Sequence, residues 1–528
     1  MQVVEGLAAS ASLRRERRRS DHRLLLWIAA LAFGCAVLTV AALVAIEYGW
    51  PPSSAVRSYV TLSLLLLLIA AVGIASGAAS RPRERFDLFE LPVWYTLWTL
   101  FSLVLFGLFG FSDDPKYWLP ALASSDWIAD GLWLVVLGLA GLWCGYRLLW
   151  FLFPFRPVAR LAAAIREPSA TLVWVWYGLT LVERVWRIRT LGTAFGADVS
   201  SLGDASVFNQ WSIYVEESVR LVLPIVALQV FRGRWPARHL VWMLIVELLF
   251  TLLTGFIKPF MWLTIALVAV LWYAGYGVRA RLLPLFVLLA LSVIGIPIVE
   301  QYRVLIGSGA IDGRSIVSMA GGLFAALESS WGQGIGPAWE VLADKIGVRQ
   351  ARVAQILGVI VYLTPDFIPH WGVDRLLAIP FYLVPRALWP DKPSLSDGVL
   401  FSVQYLNAPS DTNTSSAFTM YGDLYLAAGW TAVFVGMFAL GIVCALLYRF
   451  LKVEAMQRGD LSLTALYIAL AVSMADIESS YIGLMTGLMQ RLVLFGALFW
   501  ALHPRVPRRP APAANHVLRR AESPGLRR

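Results

Sequence analysis

Eight basic side chains of one long segment, Arg303, Arg314, Lys345, Arg349, Arg352, Arg375, Arg386 and Lys392, have the clearest chemical potential in this chain. Arg184, Arg187 and Arg189 form a second cluster. A guanidinium is a planar fork of N–H donors, and its best partner is a phosphate or diphosphate. For any one of them the alternative is ion pairing with neighbours such as Glu183, Glu216, Asp374 or Asp391, or plain solvation, since exposed charge pairs contribute little. Ionisable residues within apolar runs form the next group: Glu183, Arg184, Arg220, Glu247, Lys258, Asp476, Glu478 and Arg491. Burying each in hydrocarbon costs about 3 kcal/mol, so such residues turn toward a bundle interior and pair there. Asp476, Glu478 and Arg491 are spaced to pair across the final hairpin, whereas Arg220 and Lys258 can instead snorkel to an interface. Metal chemistry has little to work with. Cys35, Cys144 and Cys444 all lie in apolar runs, and of five histidines only His370 falls outside the basic connecting segments. No phosphate-binding loop, dinucleotide fingerprint, nucleophile elbow or HExxH motif occurs in a suitable setting, so no cofactor is expected.

These residues must be positioned by elements that suit an apolar solvent. The 528 residues are 59% hydrophobic and 15% charged, against about 25% charged in ordinary soluble domains. That excludes a soluble globular, fibrous or disordered chain and indicates an all-α, polytopic membrane protein. Apolar runs near the length of a bilayer crossing lie at 24–46, 59–79, 91–111, 131–153, 169–185, 216–231, 240–257, 260–276, 282–299, 427–448, 461–477 and 482–502, giving about twelve transmembrane helices. Alternate connecting segments, with both tails, hold 28 Lys or Arg against 10 acids, while the remainder holds 16 against 24. The basic excess is therefore a topological signal that places both termini in the cytoplasm, not a nucleic-acid face.

The expected organisation is a basic cytoplasmic tail over 1–23, nine helices over 24–299, a large external loop over 300–426, three helices over 427–502 and a basic tail over 503–528. The external loop, Glu300 to Leu426, departs from the otherwise short connections, and a connection of that length is functional or disordered. Its Trp331, Trp339, Phe367, Trp371, Phe381 and Trp389 argue for structure. Within it, 351–363 and 376–384 are too short to cross and are expected as interfacial or re-entrant helices.

Two stretches near the end of this loop, LVPRALWPDKP at 383–393 and TNTSSAFTMYGDLYLAAGW at 412–430 followed by VFVGMFALG at 433–441, resemble the bacterial oligosaccharide repeat-unit polymerases, the O-antigen polymerase or Wzy-type family. The local likeness covers roughly 300–451; elsewhere it is one of architecture. The resemblance implies a glycosyltransferase of the cytoplasmic (inner) membrane. An undecaprenyl-diphosphate-linked glycan is moved from its lipid onto another lipid-linked repeat unit at the periplasmic face, without metal or nucleotide. Implied partners are those lipid-linked oligosaccharides, membrane lipids and a chain-length regulator. Carried onto this chain, the resemblance makes Arg386 and Lys392 diphosphate contacts, Asp423 the general base and Tyr421 a sugar contact. Arg303 is a further cation at the catalytic centre, Arg187 and Arg189 are substrate contacts, and His370 and Asp391 are alternative bases. A polysaccharide ligase of similar fold, or a transporter of lipid-linked glycans, is the competing expectation.

Overall fold

A computed structural model describes residues 54–79, 87–105, 126–153, 167–191, 215–254, 258–331, 348–349, 352–384, 389, 397–409, 416–453, 455, 462–475 and 478–503. The described residues are helical, with no strand among them. The helices are α1 Ser54–Ala79, α2 Leu91–Thr99, α3 Asp126–Leu152, α4 Ala170–Leu191, α5 Val219–Phe231, α6 Arg238–Thr254, α7 Lys258–Ala274 and α8 Val278–Gly307. They continue as α9 Ile316–Trp331, α10 Arg352–Leu363, α11 Asp397–Tyr405, α12 Thr419–Leu447, α13 Ser462–Met474 and α14 Tyr481–Leu502. A helix thus occupies every apolar run from 59–79 onward, while the run at 24–46 lies outside the described residues. Three stretches, Trp127–Leu152, Thr419–Val453 and Tyr481–Leu502, are long and apolar enough to cross a bilayer. Large side chains such as Phe151, Phe286, Val493 and Trp500 stand exposed on the helices, a surface compatible with lipid.

Glycine dictates the tightest packing. Gly138, Gly141 and Gly145 run along one stripe of α3 against α12, the most extensive interface between described helices. A Cβ at Gly141 would lie 2.6 Å from the Phe434 carbonyl oxygen, and one at Gly145 would press into that of Phe438. Gly441 returns the contact, its missing Cβ leaving room for the Leu142 carbonyl. Small residues let helix backbones approach where no hydrophobic drive exists between helices in lipid.

Helix α10 is not a surface-lying element: Val353 to Ile360 are all buried. It seats on α3 where Gly131 meets the backbone of Gly358, with Trp127 stacked on Tyr362 at 4.0 Å between centroids. Of the two apolar stretches expected as interfacial or re-entrant helices, the first is therefore enclosed over 353–360, while the second forms short turns, Asp374–Leu377 and Ile379–Leu383.

Helix α12 breaks at Ala428 and Gly429, where Gly429 has φ +70°, a conformation that favours glycine. The break frees carbonyl groups that an apolar surrounding cannot satisfy. Backbone N–H groups of the preceding loop fill them: Trp371 donates to Leu426 O at 2.6 Å and Gly372 to Ala427 O at 3.1 Å. At the other end of the bundle, buried Asp87 accepts from Tyr273 at 3.0 Å and Tyr448 at 2.9 Å and pairs with Lys452 at 3.2 Å.

Candidate functional site

Charged side chains from four helices and one turn converge on a cavity of about 470 Å³. Helix α4 supplies Arg184, the turn before α5 supplies Glu216 and Glu217, α5 supplies Arg220, α6 supplies Glu247, and α14 supplies Arg491. Leu223, Trp262, Leu263 and Ala266 complete an apolar wall. On α4, Thr180, Arg184 and Ile188 follow one another at i, i+4 spacing, and all three are buried on the same face, so the helix carries its charge inward.

The charges are paired with care. Arg184 Nη1 donates to both oxygens of Glu247, at 2.9 and 3.0 Å, and Tyr177 Oη donates to Glu247 Oε1 at 3.0 Å. Arg184 Nε lies 3.7 Å from Glu216, which also pairs with Arg187. On the opposite wall, Arg491 grips Glu217 in a two-pronged contact, Nε to Oε2 and Nη2 to Oε1, each at 2.7 Å. Arg220 Nη1 stands 3.6 Å from Glu217 and 3.5 Å from the Ser473 hydroxyl. A Cβ at Gly487 would come within 2.6 Å of Arg491 Nη1, so the bare glycine one turn earlier makes room for the guanidinium. Three arginines thus face three glutamates across the cavity, with Arg187 and Glu183 behind them.

Residues 216–459 match a family model described as a domain of unknown function, DUF8712. No curated protein and no solved structure matches the chain. The matched stretch opens at Glu216 and takes in Glu217, Arg220 and Glu247, but stops short of Arg491 and leaves out Arg184 on α4.

The residues expected from sequence are distributed over several places. Arg187 joins the network through Glu216, and Arg189 is exposed on the same helix. Arg303 pairs with Glu300 at 3.3 Å, and nearby Arg349 pairs with Glu478. Of the residues expected to pair across the final hairpin, Arg491 pairs with Glu217 in the turn before α5 and Glu478 with Arg349, while Asp476 lies outside the described residues. Tyr421 is fully enclosed, its hydroxyl 3.1 Å from that of Thr99 and its ring against Gly138. His370 lies at the break in α12, ring to ring with Tyr425 at 5.7 Å, and its Nδ1 finds no partner among the described residues. Arg386, Asp391, Lys392 and Asp476 lie outside the described residues. Among the described residues, no group of three or more His, Cys, Asp or Glu assembles for a metal ion.

Asp423 has a structural task. Its Oδ2 accepts from the Ile482 backbone N–H at 3.0 Å, anchoring the first turn of α14, beside Asp397 and Arg375. Burial pushes the Asp397 carboxyl up, against the pull of its Arg375 partner. A carboxylate at a helix N-terminus satisfies an orphan donor and complements the helix dipole, a contribution of about 1 kcal/mol. Asp423→Ala is expected to lower stability in detergent by about 1–2 kcal/mol, read by thermal unfolding, while Asp423→Asn retains most of it because an amide oxygen still accepts. Loss of stability in the Asn variant as large as in the Ala variant would contradict an acceptor role.

Sequence reading singled out Arg184, Arg220, Glu247 and Arg491 as charges at membrane depth, and it missed Glu217. The signal for it was present in VEESVR, where Glu217 and Arg220 stand at i, i+3 beside a second glutamate.

Proposed function

We propose that the protein is a membrane glycosyltransferase that polymerises undecaprenyl-diphosphate-linked oligosaccharide repeat units into a surface polysaccharide. It works at the periplasmic face of the bacterial cytoplasmic membrane, with about twelve spans, cytoplasmic termini and a large outer segment between the ninth and tenth. The observation that carries this reading is the cavity in which Arg184, Arg220 and Arg491 gather between apolar helices. A lipid-borne diphosphate needs an apolar flank for its chain and forked donors for its head, and this cavity offers both. The arrangement of polar ends agrees with the alternation of basic segments: Asp87 and Lys452, from two stretches assigned to the cytoplasmic side, meet each other.

In the proposed reaction the acceptor hydroxyl oxygen bonds to the anomeric carbon of the donor sugar as the bond from that carbon to the diphosphate oxygen breaks. The arginines stabilise charge growing on the departing diphosphate, an electrostatic task suited to fixed donors. A carboxylate of the wall, Glu216 or Glu247, takes the hydroxyl proton, worth about 10² to 10⁴ in rate. Undecaprenyl diphosphate leaves, and neither metal nor nucleotide enters the balance.

Purified protein in vesicles, given a defined undecaprenyl-diphosphate oligosaccharide, is expected to produce a ladder of multiples on a gel. Arg491→Gln should leave the single repeat unextended, and Arg303→Ala or Arg386→Ala should shorten the ladder. A ligase acting on the same headgroup would instead pass a finished chain to another acceptor, so its loss accumulates long lipid-linked polymer. The charged network between α4, α5, α6 and α14 favours a second reading, a transporter of lipid-linked glycans. Movement of the glycan across sealed vesicles with no new glycosidic bond would establish that reading and overturn the polymerase.

A further inference from the structure

The cavity that would receive an anion is already occupied by the protein's own carboxylates. Arg184, Arg220 and Arg491 on its wall are matched one for one by Glu216, Glu217 and Glu247. A diphosphate added to that balance would bring its charge into a partly buried site where, among the described residues, every lining arginine already faces a carboxylate, which is unfavourable. One carboxylate must therefore withdraw when the anion arrives.

The three glutamates differ in how they are held. Glu247 is fixed by Arg184 and by the Tyr177 hydroxyl, and its side chain is 9% exposed. Glu216 is held between Arg184 and Arg187. Glu217 alone engages the two other cavity arginines at once, with the two-pronged geometry of Arg491 and the flank of Arg220. It occupies the position that a phosphate would take, since carboxylate and phosphate present the same paired oxygens to a guanidinium fork. It lies two residues before α5, with the turn at Ser218 between them.

We infer that Glu217 is an internal stand-in for a diphosphate or phosphate monoester, closing the anion site of Arg220 and Arg491 until a ligand displaces it. The inference rests on the reading of this cavity as a site for an anionic headgroup. An occupied site lowers apparent affinity by the fraction of molecules that are open, so removing the competing charge should tighten binding.

The test is titration calorimetry of the full chain in detergent at low salt, with farnesyl diphosphate and inorganic pyrophosphate as separate probes. Glu217→Gln is expected to bind at least one probe about fivefold or more tightly than the parent, the scale of ordinary coupling between competing states. Arg491→Gln should weaken the same binding. Tightening toward farnesyl diphosphate alone assigns the site to a lipid-borne headgroup, and tightening toward both assigns it to the diphosphate itself. Glu217→Asp keeps the charge but falls one methylene short of the two-pronged contact, so it should tighten by a smaller factor and serves if the Gln variant does not fold. Affinity unchanged or weakened for both probes in the folded variant overturns the inference. Chain extension is scored separately: a normal ladder without tightening removes the stand-in and spares the polymerase, whereas tightening without any ladder does the reverse.

Discussion

Arg184→Ala is expected to cost about 3–5 kcal/mol of stability, because it leaves Glu247 as an uncompensated charge among buried neighbours. Glu247 is 7% exposed, and Arg184 Nη1 donates to both of its oxygens, so the substitution removes its one charged hydrogen-bond partner among the described residues. Tyr177 remains as a single neutral donor, too little to hold an ionised carboxylate. Unfolding in mixed micelles, followed by helix circular dichroism, should show the midpoint falling sharply, and extension of a lipid-linked glycan should vanish with it. The double variant Arg184→Met with Glu247→Leu separates the two effects. Replacing both partners by apolar groups of similar size is often neutral or stabilising, so the fold should return. Activity should not, if the guanidinium meets the headgroup. Recovery of polymer in the double variant would reduce the pair to a structural role, and an unchanged midpoint in Arg184→Ala would refute the buried pairing itself.

How far this network was legible depends on which physical rule a residue obeys. Arg184, Arg220, Glu247 and Arg491 announce themselves because a charge in an apolar run is costly, and cost at a given depth is a property of local sequence. Their pairing is not local. Arg491 and Glu217 are separated by 274 residues, and nothing in the spacing of either distinguishes that partner from Glu478. The likeness of 412–430 to a polymerase segment drew attention to Asp423 and Tyr421, yet both are enclosed, one anchoring α14 and the other packed on Gly138. Helix α10 shows the same limit. The thirteen residues at 351–363 read as an apolar segment too short to cross, and only the close approach of Gly131 to the Gly358 backbone, and of Gly358 to the Trp127 carbonyl, explains why its middle is enclosed.

Gly145→Leu is the second substitution expected to disable the protein, and the argument is steric. Along α3, Gly138, Gly141 and Gly145 face α12, and a side chain at 145 would meet the Phe438 carbonyl group rather than the movable end of another side chain. Overpacking a core costs about 1–3 kcal/mol where side chains can adjust, and more where the obstacle is backbone. Here the obstacle is the stretch of α12 that carries Gly441, itself closed over the Leu142 carbonyl, so neither helix can retreat without opening the other contact. The expected outcome is poor accumulation in the membrane and an unfolding midpoint well below the parent, with Gly145→Ala intermediate. Gly178 on α4 provides the control, because a Cβ there meets nothing within 4 Å. Gly178→Ala should leave stability level or raise it by up to about 1 kcal/mol, the helix propensity difference between the two residues. If the two glycines responded alike, close approach of the α3 and α12 backbones would not be what excludes a side chain at 145.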